Sequence, residues 1–163
     1  MEGENIRTLS QIGNGKFAVA NKCGDMWVYD SCLQTVLLHE SSEHNLYCVA
    51  EIGNGHLWKG TKGGGLYIDS KHVDEVRQNE IYSIFAESDT CVWVGTFGEG
   101  FAVWEDGRIE HYTCVDSLVN DMVQCFVEDK EGFVWMSTAF GISRFNPVTK
   151  KIKNYFFLEE YAQ

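Results

Sequence analysis

Four copies of one short unit run along the chain, and this internal repeat constrains the fold more than any other feature of the sequence. Three copies carry a tryptophan with a threonine three places later, at Trp58-Lys59-Gly60-Thr61, Trp93-Val94-Gly95-Thr96 and Trp135-Met136-Ser137-Thr138. The first copy has Ala18-Val19-Ala20-Asn21 at the corresponding place. Twelve positions before each stretch lies an aliphatic residue: Ile6, Leu46, Ile81 and Val123. The copies are therefore 40, 35 and 42 residues apart, a spacing too regular to be accidental.

Turn residues divide each copy into four short segments. The first segment is apolar or alternating, as in Ile81-Tyr82-Ser83-Ile84-Phe85-Ala86. A tight turn follows, and in two copies it is Gly13-Asn14-Gly15 or Gly53-Asn54-Gly55. Asn-Gly favours a hairpin because both residues tolerate a positive φ. A glycine-rich bend after the second segment and a further turn after the third complete the unit, so the sequence predicts four antiparallel strands per copy and no helix.

A period of about 40 residues with four strands is typical of a β-propeller blade. One blade cannot bury both faces of its sheet, so neighbouring blades must stack around an axis. We therefore predict an all-β fold, a β-propeller segment of four four-stranded antiparallel blades. One partial propeller domain spans 1–163, with blades at about 6–42, 46–78, 81–115 and 122–158.

Each tryptophan offers a large apolar face for stacking, and its N–H can reach a carbonyl. The glycine two places later lets neighbouring chains approach closely. We therefore expect these residues to anchor the blades, and we expect the tryptophans to be mostly buried against a neighbouring sheet. The anchors are Trp58, Gly60, Trp93, Gly95 and Trp135.

Composition excludes several classes of function. A net charge of −11 opposes binding to phosphate backbones, so nucleic acid is not an expected partner. The apolar runs are too short for membrane insertion, and the opening Met1-Glu2-Gly3-Glu4-Asn5 is unlike a signal peptide. The six cysteines form no C-x-x-C pair, and we expect buried free thiols.

The sequence offers no catalytic residues, no metal site and no cofactor site. His39-Glu40-Ser41-Ser42-Glu43-His44 resembles H-E-x-x-H, but its histidines are five apart, and we expect a solvated loop between the first two copies. Cys48 and Cys125 share one repeat position, where other copies have Thr8 and Ser83, which indicates a small buried residue rather than a reactive thiol.

Binding is the better prospect for function. The first strand of a propeller blade is innermost, and its second residue is Arg7, Tyr47, Tyr82 and Gln124 in the four copies. Large polar or aromatic side chains thus recur between aliphatic neighbours. Aromatic faces with hydrogen-bonding tips suit a neutral sugar or a peptide, so these four residues form the predicted ligand site. The alternative is that these four residues only cover the solvent-facing end of the hydrophobic core.

The fourth copy resembles the two-component regulator propeller repeat. The similarity lies in Ser117-Leu118-Val119-Asn120-Asp121-Met122-Val123, in Asp129-x-x-Gly132-x-x-Trp135 and in Gly141-Ile142-Ser143-Arg144-Phe145. The second and third copies keep Trp-x-Gly-Thr and the glycine before the third strand, at Gly65-Leu66 and Gly100-Phe101. The resemblance implies the extracytoplasmic, periplasmic input domain of a hybrid two-component histidine kinase, which senses an oligosaccharide or another small ligand. Kinase activity would then belong to other parts of a parent protein.

Two alternatives stay open from the sequence. One is an enzyme resembling streptogramin lyase, with a histidine and an acidic partner near the axis. The other is a scaffold for protein–protein contacts. Four blades of a larger ring would also leave the terminal blades uncovered, so we expect either self-association through those blades or coverage by further blades of a parent protein.

Overall fold

A computed structural model describes residues 5–53, 55–76 and 79–156 of the chain. Asn54 and the predicted blade ends at 77–78 and 157–158 lie outside the described residues. The strands of blade 1 are β1 Ile6–Gln11, β2 Phe17–Asn21, β3 Asp25–Tyr29 and β4 Val36–Ser41. Those of blade 2 are β5 Asn45–Ile52, β6 His56–Lys62, β7 Leu66–Ile68 and β8 Lys71–His72. Blade 3 contains β9 Ile81–Ala86, β10 Cys91–Thr96, β11 Phe101–Glu105 and β12 Arg108–Tyr112. Blade 4 contains β13 Val123–Glu128, β14 Val134–Thr138, β15 Gly141–Asn146 and β16 Lys151–Tyr155.

Each blade is one four-stranded antiparallel sheet in which the strands follow one another in chain order. The predicted fold class is confirmed, and it includes the first copy, which lacks the tryptophan. The prediction of no helix is wrong at two three-residue 3₁₀ turns, Gly13–Gly15 and Cys114–Asp116. Asn14 in the first turn has a φ of 59°, so this segment serves as a hairpin turn. Within the described ranges, no helix has the length and apolarity needed to cross a bilayer.

The described residues form three apolar clusters, one between each pair of successive blades. Ala18 and Met26 of blade 1 pack with Val49 of blade 2, and Trp58 of blade 2 packs with Val94 of blade 3. The third cluster joins blades 3 and 4. The inner strands contact one another in the order β1, β5, β9, β13. Four blades with three buried interfaces form an open arc, in which the first and last blades each keep one uncovered face.

Trp58, Trp93 and Trp135 occupy equivalent positions on the second strands of their blades. Trp58 and Trp93 face the blade that follows, and Trp135 faces the uncovered side of blade 4. Trp58 and Trp93 are 6% and 1% exposed, whereas Trp135 is only partly buried because no blade follows it in the arc. The indole N–H groups were expected to bond to carbonyl groups, but they bond to carboxylates. That of Trp93 donates to Glu87 at 2.7 Å, and that of Trp135 donates to Asp129 at 2.6 Å.

In blades 2 and 3, the glycine two places after the tryptophan lies where the next inner strand approaches. A Cβ on Gly95 would lie 2.8 Å from the carbonyl oxygen of Val123, and one on Gly60 would lie 2.7 Å from Cγ2 of Ile81. Side chains at these two positions would therefore separate neighbouring blades.

The hydroxyl residue of the repeat shapes the bend between the second and third strands. Thr96 donates its hydroxyl hydrogen to the carbonyl of Gly100 at 2.8 Å and accepts the N–H of Glu99 at 3.1 Å. Thr61 makes the same two contacts in blade 2. In blade 1, Asn21 replaces the threonine, and its Oδ1 accepts two backbone N–H groups at 2.9 Å. The bend is thus fixed locally in all three blades.

The cysteines differ from the expectation of buried thiols. All six are free, but Cys23, Cys32, Cys114 and Cys125 are exposed. Cys48 lies against blade 3, where burial raises the pKa of its thiol to about 12. Cys125 occupies the same repeat position on the face of blade 4 that no described blade covers, which accounts for its exposure.

Candidate functional site on the inner edge of the blades

The four residues predicted to bind a ligand share one unusual backbone position. In each blade, the register between the inner strand and its neighbour skips one residue at the start of the inner strand. The skipped residues are Arg7, Tyr47, Tyr82 and Gln124. Such a β-bulge leaves its extra residue outside the ladder and redirects the side chain, which is common beside functional sites.

Three of these residues form a continuous row across blades 1 to 3. The guanidinium carbon of Arg7 lies 4.4 Å from the ring centroid of Tyr47. The rings of Tyr47 and Tyr82 are 5.1 Å apart, and Tyr82 meets Phe97 edge-on at 5.2 Å. We call Arg7, Tyr47, Tyr82 and Phe97 the axial row. Gln124 occupies the equivalent bulge of blade 4 and is exposed, but no described contact joins it to the row.

Phe97 is the member of the axial row that sequence reasoning missed. It directly follows the Trp-x-Gly-Thr stretch of blade 3 and forms an isolated bridge with Met122 at the entrance to blade 4. The bend after that stretch is glycine-rich in the second and third copies, and it gave no reason to select an aromatic residue. Its position follows from the backbone contact between the two blades.

The axial row is accessible and chemically mixed. Arg7 and Phe97 are exposed, while Tyr47 and Tyr82 are half-buried. The pKa of Tyr82 is raised, first by burial and then by Tyr47 and Glu80, so its phenol is protonated and can donate a hydrogen bond at neutral pH. The row thus combines a cation, two phenolic groups and an aromatic edge.

The described residues do not bring together a metal site. They contain no group of three or more His, Cys, Asp or Glu side chains that could hold an ion. The segment from His39 to His44 was expected to be a solvated loop, but its first three residues belong to strand β4. The ring of His39 stacks on Trp27 at 5.1 Å, whereas that of His44 lies beside Gly64.

A separate cleft lies between the outer parts of blades 2 and 3. Its volume is about 780 Å³, and it contains none of the four predicted ligand residues. Its lining comprises Asp74, Glu75, Val76, Thr96, Glu99, Ile109, His111 and Thr113. This acidic cleft is the alternative location against which a site on the axial row has to be tested.

The sequence model of the two-component regulator propeller family matches residues 117–140. This segment holds the serine–leucine start and the Asp129-Gly132-Trp135 pattern of the fourth copy, so the resemblance inferred from the sequence is confirmed there. In the structure, Asp129 accepts the N–H groups of Glu131 and Phe133 as well as the indole N–H, which explains the spacing of that pattern. No curated protein matches the sequence.

Solved propellers share the fold. The extracellular domain of the hybrid two component system BT3049 from B. thetaiotaomicron aligns with 94% of this chain and 23% of its own, at 24% identity and a TM-score of 0.82. That of BT4673 from the same organism aligns with 99% of this chain and 23% of its own, at 17% identity and a TM-score of 0.78. The chain thus spans about a quarter of their length. A streptogramin B lyase aligns with 99% of this chain and 58% of its own, at 14% identity and a TM-score of 0.71.

Proposed function

We propose that this chain is a non-catalytic, ligand-sensing segment of the propeller domain of a hybrid two-component sensor histidine kinase. The axial row is the observation that carries the proposal, because equivalent bulges direct side chains of three successive blades into one accessible line. Similarity to extracellular domains of hybrid two-component systems supports this role. The segment would act on the periplasmic side of the membrane, with kinase activity in other parts of a parent protein.

A neutral oligosaccharide is the ligand class that the axial row suits best. Aromatic faces bind the apolar C–H faces of sugar rings, while phenolic and guanidinium groups bind hydroxyls. Tyr47 and Tyr82 supply both kinds of contact within 5.1 Å of each other, and Arg7 adds donors at one end. Gln124 would provide an amide at the other end of the arc.

Binding can be tested by a thermal-shift screen against neutral oligosaccharides, since a ligand specific for the folded state raises its melting temperature. Titration calorimetry on each hit should then show a dissociation constant about tenfold higher or more for Tyr82→Ala, as is common for an aromatic residue at the centre of a binding site. Tyr67→Ala is the matched control, because Tyr67 is a half-buried tyrosine on β7, outside the axial row. Equal losses for the two variants, or no hit in the screen, would contradict the proposal.

A lyase-like enzyme is the second candidate, because the streptogramin B lyase shares the fold over 99% of this chain. Such an enzyme needs a histidine with an acidic partner near the axis. The closest such pairing in the described residues, His72 Nδ1 to Asp74 Oδ1 at 2.7 Å, is exposed on the outer edge of blade 2. His56 and Asp69 are 2.8 Å apart, but His56 lies at the start of β6 and Asp69 directly follows β7 in the same blade. Neither pair includes a residue of the axial row, so the geometry favours binding over chemistry.

A further inference from the structure

The indole N–H of Trp58 differs from its counterparts in the next two blades. Trp93 and Trp135 each donate to a carboxylate that lies six residues earlier in the chain. In blade 2 the residue at that position is Ile52, which cannot accept a hydrogen bond. Trp58 is only 6% exposed, and its indole N–H has no hydrogen-bond partner among the described residues. Buried tryptophans usually pair this group, so the donor of Trp58 is free for an acceptor from outside the chain.

That donor opens into a cleft between blades 2 and 3, which we call the Trp58 cleft. Its volume is about 480 Å³, within the usual range for small-molecule sites. Its lining includes Ile52, His56, Trp58, Ile68, Asp69 and Lys71. Within the described ranges, Oγ of Ser83 is the only side-chain nitrogen or oxygen that is sealed from solvent without a partner, so Nε1 of Trp58 is accessible. Because Ile52 lines the cleft, the position that a carboxylate occupies in blades 3 and 4 faces the cleft in blade 2.

Strand register places the floor of the Trp58 cleft on one face of blade 2. Trp58 pairs with Ile68, and Ile68 pairs with Lys71, so these three side chains stand side by side. The ring of Trp58 is held from the other side, because Trp104 of blade 3 meets it edge-on at 5.4 Å. Neighbouring strands are about 4.8 Å apart, so the long side chain of Lys71 can reach over Ile68 towards the indole. An apolar surface thus lies between an N–H donor and an ammonium group.

The carboxylates of the Trp58 cleft are already bound by protein donors. Asp69 accepts the backbone N–H of Leu57 at 2.9 Å through Oδ1, and its Oδ2 lies 2.8 Å from Nδ1 of His56. Asp89 of blade 3, on the far side of the cleft, accepts a backbone N–H at 3.2 Å. Lys71, in contrast, makes no ion pair within the part of the chain that the structure describes. The cleft therefore keeps two free donors that suit an anion, the indole N–H and an ammonium group.

We propose that the Trp58 cleft binds a small organic carboxylate with an apolar body. The carboxylate takes the place that the side chain of Glu87 has beside Trp93, and the ammonium group of Lys71 neutralises its charge. The apolar body packs on the two isoleucine side chains of the lining. This site goes beyond the sugar sensing proposed above, because the axial row lies at the start of the inner strands, whereas Ile52 ends β5 at the opposite end of the blade.

The indole signals in a nitrogen–proton correlation spectrum report on this site directly. The five tryptophans give five such signals, and Trp58→Phe identifies the signal of Trp58 by its loss. Titration with phenylacetate or butyrate should move that signal until it saturates. The signals of Trp93 and Trp135 should stay in place, because their N–H groups are already bonded. Phenylacetamide and butyramide are the uncharged controls, and at equal concentration they should move the Trp58 signal less than the acids do.

Two substitutions separate the contributions of the indole and of the ammonium group. Ile52→Glu gives blade 2 the side chain that Glu87 supplies in blade 3, so the Trp58 signal should shift without any probe and no longer respond to phenylacetate. Lys71→Ala removes only the exposed cation and should raise the dissociation constant for phenylacetate about two- to fivefold. Lys151→Ala is the matched control, because Lys151 is also exposed at the start of an outer strand, and it should bind like wild type.

Three results would overturn the proposal. They are a Trp58 signal that neither acid moves, a signal that acid and amide move equally, and a Lys71→Ala chain that binds phenylacetate as tightly as wild type. Lys71 is exposed, so its removal leaves the fold intact even if Ile52→Glu does not fold. No residue of the axial row lines the Trp58 cleft, so failure of sugar binding at the row would not change these outcomes.

Discussion

Trp93→Ala should be strongly destabilising, because this side chain joins two blades. It is 1% exposed, its ring lies 5.3 Å from Phe145 and 5.7 Å from Phe101, and its N–H binds Glu87. A buried tryptophan removes about 150–250 Å² from water, which at about 25 cal/mol per Å² is worth about 4–6 kcal/mol. Measured Trp→Ala changes in cores are about 3–5 kcal/mol, and we expect a loss in that range.

Equilibrium urea denaturation followed by circular dichroism measures this loss, and Trp135→Ala is the matched control. Trp135 has the same repeat position and an equivalent carboxylate bond, but its ring faces the uncovered side of blade 4. Its removal leaves a groove open to water instead of a buried cavity, so the loss should be smaller by about 1–2 kcal/mol at concentrations where the chain is monomeric. A Trp93→Ala loss below about 1 kcal/mol, or equal losses for both variants, would refute blade stacking through the tryptophan.

Three further substitutions test local features of the blades. Ser83→Ala should leave the free energy of unfolding unchanged or raise it by up to about 1 kcal/mol, since the buried Ser83 hydroxyl has no partner among the described residues; a clear fall in melting temperature would contradict this. Thr96→Val should lower stability by about 1–3 kcal/mol in urea denaturation because it removes the hydroxyl bonds of the bend, and an unchanged midpoint would show that the bend forms without them. Asp129 has a pKa lowered chiefly by the indole N–H of Trp135, so its stabilising effect is complete above its ordinary pKa of 3.8 and is lost as the pH falls through the lowered value. Asp129→Asn should therefore flatten the acid end of the pH–stability profile, and a profile parallel to that of wild type would contradict this assignment.

The strand pattern was predictable because each strand is specified locally. The Asn14-Gly15 turn, the alternating apolar residues and the hydroxyl of Thr96 each act within a few residues of the hairpin that they form. Even the first blade folds as predicted with Ala18 in place of tryptophan, because Asn21 fixes the bend in another way.

Burial at the ends of the arc was not predictable from the repeat. Cys48 and Cys125 have the same repeat position, yet only Cys48 has a neighbouring blade to cover it. Trp135 differs from Trp93 for the same reason. A repeat position specifies which face a side chain occupies, but the presence of another sheet on that face is a property of the whole assembly.

The candidate site was predictable in part. Position within the copy singled out Arg7, Tyr47, Tyr82 and Gln124, but not the bulge that places each of them outside the ladder. Every copy contains the bulge residue, so the distance along the sequence from the start of the inner strand to the tryptophan position is the same in all four copies. That constant distance gives no sign of a bulge. Phe97 joins the row through a contact between blades, for which the sequence gives no local signal.

A crystal structure of the chain soaked with an oligosaccharide from the thermal-shift screen tests the central claim most directly. A sensor that binds through the axial row should show a sugar ring stacked on Tyr47 or Tyr82, with a hydroxyl bonded to Arg7 or to a phenolic oxygen. A sugar bound instead in the acidic cleft between blades 2 and 3, with the axial row unoccupied, would contradict the account.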